Sequence, residues 1–135
     1  MPKILPLIAA TLLLFLSASA HSSTAAAEAA ALAWLEAIDS GEYEQAWEMS
    51  STLLQVPLSS TMLAFTISAA RRDFGAVESR RRVRVIRETS MPGAPRGDYA
   101  VFTFQTRFEN KPQIIETITP HLEGGTWKIS GYYIN

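Results

Sequence analysis

Asp98-Tyr99-Ala100-Val101-Phe102-Thr103-Phe104-Gln105-Thr106-Arg107-Phe108 is followed, after Asn110-Lys111-Pro112, by Gln113-Ile114-Ile115-Glu116-Thr117-Ile118-Thr119. A second break at Glu123-Gly124-Gly125 leads into Thr126-Trp127-Lys128-Ile129-Ser130-Gly131-Tyr132-Tyr133-Ile134. The three runs are rich in β-branched and aromatic residues and alternate in character between turn residues. That is the pattern of an antiparallel meander. Because successive strand side chains point to opposite faces, parity assigns the core side. Ala100, Phe102, Phe104, Phe108, Ile114, Ile118, Leu122, Trp127, Ile129 and Tyr133 are expected to face the helices. Tyr99, Val101, Gln105, Arg107, Ile115, Thr117 and Thr119 are expected to face away.

Immediately upstream, Val77 to Ile86 also alternates and carries Arg80, Arg81, Arg82 and Arg84. This predicts a charged strand at or near an edge, where arginine discourages pairing with other sheets. Pro92-Gly93-Ala94-Pro95-Arg96-Gly97 is dense turn chemistry joining it to the meander. Further back the period is helical. Ser23-Thr24 caps a first helix, along which Ala31, Trp34, Leu35 and Ile38 form one stripe, and Gly41 ends it. Tyr43, Ala46 and Trp47 mark a short second helix. Leu53 to Leu58, with Pro57, reads as an irregular linker. Ser59, Ser60 and Thr61 offer caps for a third helix with Leu63, Ile67, Ala70 and Phe74 on one face. Met62, Phe65 and Ala69 widen that face, as in a helix covered on more than one side. Gly75 closes it. The expected fold class is therefore α+β, with three N-terminal helices packed on one face of a four-stranded antiparallel sheet.

At the N-terminus, Lys3, the apolar run Ile4 to Leu16 and Ala18-Ser19-Ala20 match a secretory signal peptide cleaved after Ala20. The run is well short of the roughly 20 residues that span a bilayer. The expectation is a leader over 1–20 and one α+β domain over 21–135, periplasmic or extracellular, without a transmembrane segment after cleavage. Lacking cysteine, the chain has neither a lipid-anchoring site nor a disulfide framework. Removing Lys3 from the 12 basic residues leaves 11 against 13 acidic ones, a net charge of −2. That balance, with the arginines of the charged strand split between two faces, gives no general attraction for nucleic acid, and no nucleic-acid partner is expected.

The spacing of particular residues resembles a known family. Trp34-Leu35, Asp39, Gly41, Tyr43 and Trp47 look like its opening helices. Arg71, Phe74-Gly75-Ala76-Val77 and Ser79-Arg80 look like its helix-to-strand junction, and Pro92-Gly93-Ala94-Pro95, Gly97 and Tyr99 its turn. Phe108, Asn110-Lys111, Glu116, Trp127 and Gly131-Tyr132-Tyr133-Ile134 resemble its sheet. The family is a bacterial secreted domain of unknown function, DUF4019, and the likeness covers essentially the whole chain after the leader. Met62-Leu63 and Asp73-Phe74 depart from its pattern. The layout is also similar to the cone-shaped fold of the nuclear-transport-factor-two and cystatin-like group, whose members range from isomerases to binding modules. Such a likeness does not select a function.

Glu116 is the residue most at odds with its position, since parity puts it among core residues. A buried carboxylate is costly unless paired or protonated. It therefore either forms a structural ion pair with Arg71, Arg80 or Arg81, or serves as a cavity carboxylate, acting as a general base or ligand anchor. Tyr43 and Tyr132 are the candidate hydrogen-bond donors to such a cavity. His121 is expected outward and solvated, with neither the partners of a triad nor those of a metal site. Asp39, beside Ser40-Gly41, reads as a turn-capping residue. No Gly-rich phosphate loop, HExxH, CxxC or GxSxG motif occurs, and no cofactor or catalytic set is expected. The function class that remains is an exported binding or interaction module with a small-molecule or protein partner in the cell envelope. The alternative is an isomerase- or hydrolase-like enzyme built on Glu116. A homodimer through the outer sheet face, with Val101 and Ile115, is a further expectation.

Overall fold

Sequence periodicity separates helical from extended chain at Gly75, and the computed structural model, which describes residues 22–135, divides there too. Among the described residues four helices precede four strands: α1 (Thr24–Asp39), α2 (Tyr43–Glu48), α3 (Thr52–Gln55), α4 (Ser60–Ala70), β1 (Val77–Glu88), β2 (Tyr99–Phe108), β3 (Lys111–Glu123) and β4 (Thr126–Ile134). The strands form one antiparallel sheet in sequence order. The proposed leader lies outside the described residues.

Local chemistry accounts for the boundaries. The Ser23 side chain accepts from the Ala26 N–H at 3.0 Å and starts α1. Gly41, at φ +76°, takes the left-handed conformation that ends it. The Ser59 side chain accepts from the Met62 N–H and starts α4. At Gly75 (φ +78°) a Cβ would lie 2.7 Å from Glu109 Oε1, so both conformation and space require glycine at this junction.

The fourth helix corrects the expected three. Thr52–Gln55 overlaps the stretch Leu53 to Leu58 that reads as a linker, and it forms because Ser51 caps it by accepting from the Leu53 N–H. Glu123 of β4's hairpin then holds its start, accepting from the Ser51 and Thr52 hydroxyls at 2.7 and 3.2 Å. One turn is too short to show a period, so pattern reading misses it.

Trp34, Leu35 and Ile38 of α1 pack with Phe102, Phe104, Ile118, Trp127 and Ile129 of the sheet. Ala27 and Ala31 are fully buried, so the alanine-rich sequence lets α1 lie close to the strands. α2 bridges α1 and α4, whereas α4 rests mainly on α2. Only Leu63 and Ile67 of α4 are buried. The expectation that this helix is covered on more than one side is not met: Met62 and Phe65 stand in solvent.

Three extra residues change which way side chains point. Ser130 is unmatched between the pairs Thr119–Gly131 and Pro120–Ile129. After this bulge, parity in β4 reverses: Tyr132 pairs with Ile118 on the core side, and Tyr133, expected inward, is 61 % exposed. Glu78 and Val83 are the extra residues in β1. The second brings Arg80, Arg82, Val85 and Arg87 onto one side, opposite inward-facing β2 residues, and leaves Arg81 and Arg84 on the other.

Tyr99 and His121 also depart from expectation. Their rings stack with centroids 4.3 Å apart, and both residues are buried. They lie outside the main core, under the β1–β2 connection, where the Tyr99 hydroxyl donates to the Pro95 carbonyl at 2.6 Å. Parity reports the face of a strand and carries no information about a loop that folds over it.

Candidate functional site

Six elements meet around Glu116. β3 carries the carboxylate inward, fully buried. Arg71 caps the C-terminus of α4, Arg80 comes from β1, Thr106 from β2, Tyr132 from β4 and Asp39 from the last turn of α1. Arg80 Nε and the Thr106 hydroxyl donate to Glu116 Oε1, the former at 2.8 Å. Arg71 donates through one Nη at 2.8 Å, and the Tyr132 hydroxyl at 2.5 Å, to Oε2. An ionised carboxylate has roughly four lone-pair sites. Four donors occupy them.

Asp39 closes the arrangement from the helix side. Arg71 reaches its Oδ1 at 2.8 Å, and Arg80 its two oxygens at 2.8 and 3.2 Å. Two guanidiniums thus share two carboxylates and the cluster is neutral. An aspartate at a helix C-terminus sits at the wrong end of the backbone dipole, a cost of about 0.3–1 kcal/mol. The two arginines supply the compensation. Arg71 is the fork of the cluster, and its guanidinium carbon lies 5.1 Å from the Phe108 ring centroid and 5.8 Å from that of Tyr132. Its Nε is buried without an acceptor, but the aromatic faces beside it offer a partial substitute.

Electrostatics follow from this packing. Burial alone would raise the Glu116 carboxyl; hydrogen bonds and charge from Arg80, with those from Thr106 and Tyr132, reverse that and hold it below the ordinary range. Asp39 shows the same balance, burial against Arg80 and Arg71, and is also lowered. Burial and then the Glu116 charge push the Tyr132 hydroxyl upward, partly offset by Arg71, so it stays protonated and donates. The sign of the linkage is fixed by the two lowered carboxyls. Their contribution is complete above the unfolded values, about pH 4, and is lost as pH falls through the lower native ones. Urea midpoints are therefore expected to hold between about pH 5 and 7 and to drop below about pH 4. In Asp39→Asn the acid slope should be shallower; an unaltered slope would contradict the ion-paired assignment.

Of the sequence-predicted residues, Glu116, Arg71, Arg80 and Tyr132 come together, and Arg81 and Tyr43 do not. Arg81 points from the opposite face and donates to Gln105. Tyr43 packs beside the core and lines a hollow with Glu42, Glu44, Ser60 and Thr61. Asp39, read as a turn residue, and Thr106 are members that pattern reading did not assign. Thr106 was legible: it shares the core parity of Phe104 and Phe108. Asp39 had no such signal, because its partners lie 32 and 41 residues away.

Surface hollows open elsewhere. One of about 490 Å³ is lined by Ser79, Arg81, Gln105, Arg107, Pro112 and Gln113. Another, of about 320 Å³, lies between the β1–β2 connection and Tyr99, Thr119, Ser130 and Tyr133. Glu116 lines neither. Among the described residues no group of three or more His, Asp or Glu is placed to hold a metal ion, and no helix is long and apolar enough to cross a membrane.

A match to a family model covers residues 30–132 and includes every member of the cluster. The chain belongs to the family described as Protein of unknown function (DUF4019). No curated protein and no solved structure matches it. Within this DUF4019 domain the Arg71–Glu116–Arg80–Asp39 cluster joins helix ends to all four strands, through Arg80, Thr106, Glu116 and Tyr132. Each Glu116 lone pair meets a donor, and the side chain is fully buried.

Proposed function

We propose that this DUF4019 protein is an exported, non-catalytic interaction module of the periplasm or extracellular space, and that α4 is its contact surface. Export rests on the leader pattern in residues 1–20. The observation that carries the contact assignment is the composition of α4 together with its exposure. Its 11 residues include no charged side chain, yet Met62 is 49 % and Phe65 68 % exposed. Val56, close before the helix, is 86 % exposed. Single exposed apolar residues are ordinary; two of them, Met62 and Phe65, one turn apart on a helix without charge support the reading of α4 as an association surface.

Glu116 does not favour the competing enzyme reading. A general base needs a lone pair within reach of a substrate proton, and here all four acceptor positions are filled. Its lowered pKa also makes it a weaker base than an ordinary glutamate.

A photo-crosslinking residue placed at Phe65 is expected to give a discrete adduct in the cell envelope. One placed at the exposed Lys111 hairpin should not. If both positions behave alike, α4 has no special role.

A further inference from the structure

The five arginines of β1 differ by face in how they are neutralised. Each of the three on the helix side meets a carboxylate: Arg80 meets Asp39 and Glu116, Arg82 meets Glu28, and Arg87 meets Asp98. Arg81 and Arg84, on the outer side, have no ion-pair partner among the described residues. Arg81 is held by a neutral group instead, donating to Gln105 Oε1 at 2.5 Å.

Sheet register sets a second guanidinium beside it. Arg81 pairs with Gln105 and Ser79 with Arg107, so Arg81 and Arg107 are diagonal neighbours on one face, with backbones about 7–8 Å apart. The acid bonded to Arg107 is Glu78, at 3.1 Å, and the two side chains are 61 % and 50 % exposed. A pair so exposed holds weakly. The two arginines, with Ser79, Gln105, Pro112 and Gln113, line the hollow of about 490 Å³. Its polar lining is two guanidiniums, two amides and a hydroxyl, without a carboxylate.

We propose that this hollow is a binding site for a small phosphate monoester, whose phosphate bridges Arg81 and Arg107. Guanidinium forks match phosphate oxygens bidentately, and two of them balance the near-dianion that a monoester is at neutral pH. Gln105 occupies one nitrogen of Arg81 and orients the group, leaving its other N–H donors to the ligand. The volume falls in the range of roughly 300–1,000 Å³ typical of small-molecule sites and exceeds what an inorganic ion fills. Gln113 and Ser79 are then available to the hydroxyls of a polar alcohol portion such as a sugar. Pro112 is the one apolar residue of the lining, which favours a soluble ester over a lipid. A second copy fits this face poorly, because Arg81 and Arg84 would oppose their own counterparts.

The hollow lies on the sheet face away from the helices, so its assignment is independent of α4. Titration of the purified, isotope-labelled protein with glucose 6-phosphate at low ionic strength should shift the Ser79, Gln105 and Gln113 amide resonances saturably. The expected dissociation constant is about 0.1–1 mM. Arg81→Gln should weaken binding about 10-fold or more without changing circular dichroism, because the side chain is exposed. Arg84→Gln removes the same charge from the same face but outside the hollow, and should weaken binding less than about 2-fold. Gln113→Glu puts a carboxylate into the lining and should abolish binding. Glucose itself should not bind.

Absence of a saturable shift up to about 10 mM ester overturns the inference, as does equal binding of glucose. Equal losses in Arg81→Gln and Arg84→Gln also overturn it, since they would reflect diffuse surface charge and not a site. Cosedimentation with phosphatidylglycerol vesicles that is lost in Arg81→Gln, without any response to the soluble ester, assigns the arginines to a membrane surface and overturns the ligand class. Phe65→Asp should leave ester binding unchanged, so failure of this site and failure of the α4 assignment are read separately.

Discussion

Glu116→Gln is expected to lower stability by about 3–5 kcal/mol, the usual penalty for breaking one side of a buried ion pair. The amide is almost the shape of the carboxylate, so volume is conserved and the loss is electrostatic. Oε1 now receives Arg80 Nε and the Thr106 hydroxyl, and Oε2 receives Arg71 and the Tyr132 hydroxyl. Glutamine replaces one of these oxygens by an NH2, which points a donor at donors. It also leaves two guanidiniums sharing Asp39 alone. A loss of this size is a large part of the roughly 5–15 kcal/mol that holds a domain together. The urea midpoint should fall with little change in slope. Glu116→Met combined with Arg80→Met should lose less than the sum of the single changes, because the second removes a charge the first strands. Wild-type melting in Glu116→Gln would mean that the carboxylate is not ionised and paired.

The sheet was legible because its core side chains are large and periodic. Phe102, Phe104, Ile118, Trp127 and Ile129 are all buried, as alternation requires. Glu116 was legible for the same reason: its parity is the core's and its charge is not. Legibility ends where one residue shifts the register. Ser130 donates its hydroxyl to the Thr119 carbonyl at 2.8 Å, and nothing in its identity distinguishes it from a serine inside a regular strand. The two tyrosines that follow exchange faces, so Tyr133 is read as core while Tyr132 joins Glu116. In β1 the bulge at Val83 regroups the arginines. Arg82 then meets Glu28 of α1 at 2.6 Å, and Arg87 meets Asp98 at 2.5 Å. Such long-range pairs depend on packing angles that no local pattern contains. Asp39 illustrates the limit, since its site role exists only after α4 and β1 have been brought to it.

Trp34→Ala should cost about 3–5 kcal/mol, comparable to the loss at Glu116 and by a different route. The side chain is fully buried, and its removal leaves a cavity between α1 and the sheet that small alanines on the same helix cannot fill. Its indole Nε1 donates to the Ser50 hydroxyl at 3.0 Å, which in turn donates to the Ala46 carbonyl at 2.8 Å. Ser50 bridges to Ile129 of β4, so one hydrogen-bond chain ties α1 to α2 and to the sheet. The same ring lies 5.1 Å from that of Tyr132, whose hydroxyl completes the Glu116 cluster. Trp34→Phe separates these contributions. It keeps most of the ring contact and deletes the donor, so its cost should be about 1–3 kcal/mol. If Trp34 positions Tyr132, then Trp34→Ala and Tyr132→Phe should not be additive: their coupling should reach about 0.5–3 kcal/mol, as for residues in contact. Strict additivity would separate the aromatic core from the ion cluster, and the tyrosine would be held by Arg71 and Glu116 alone.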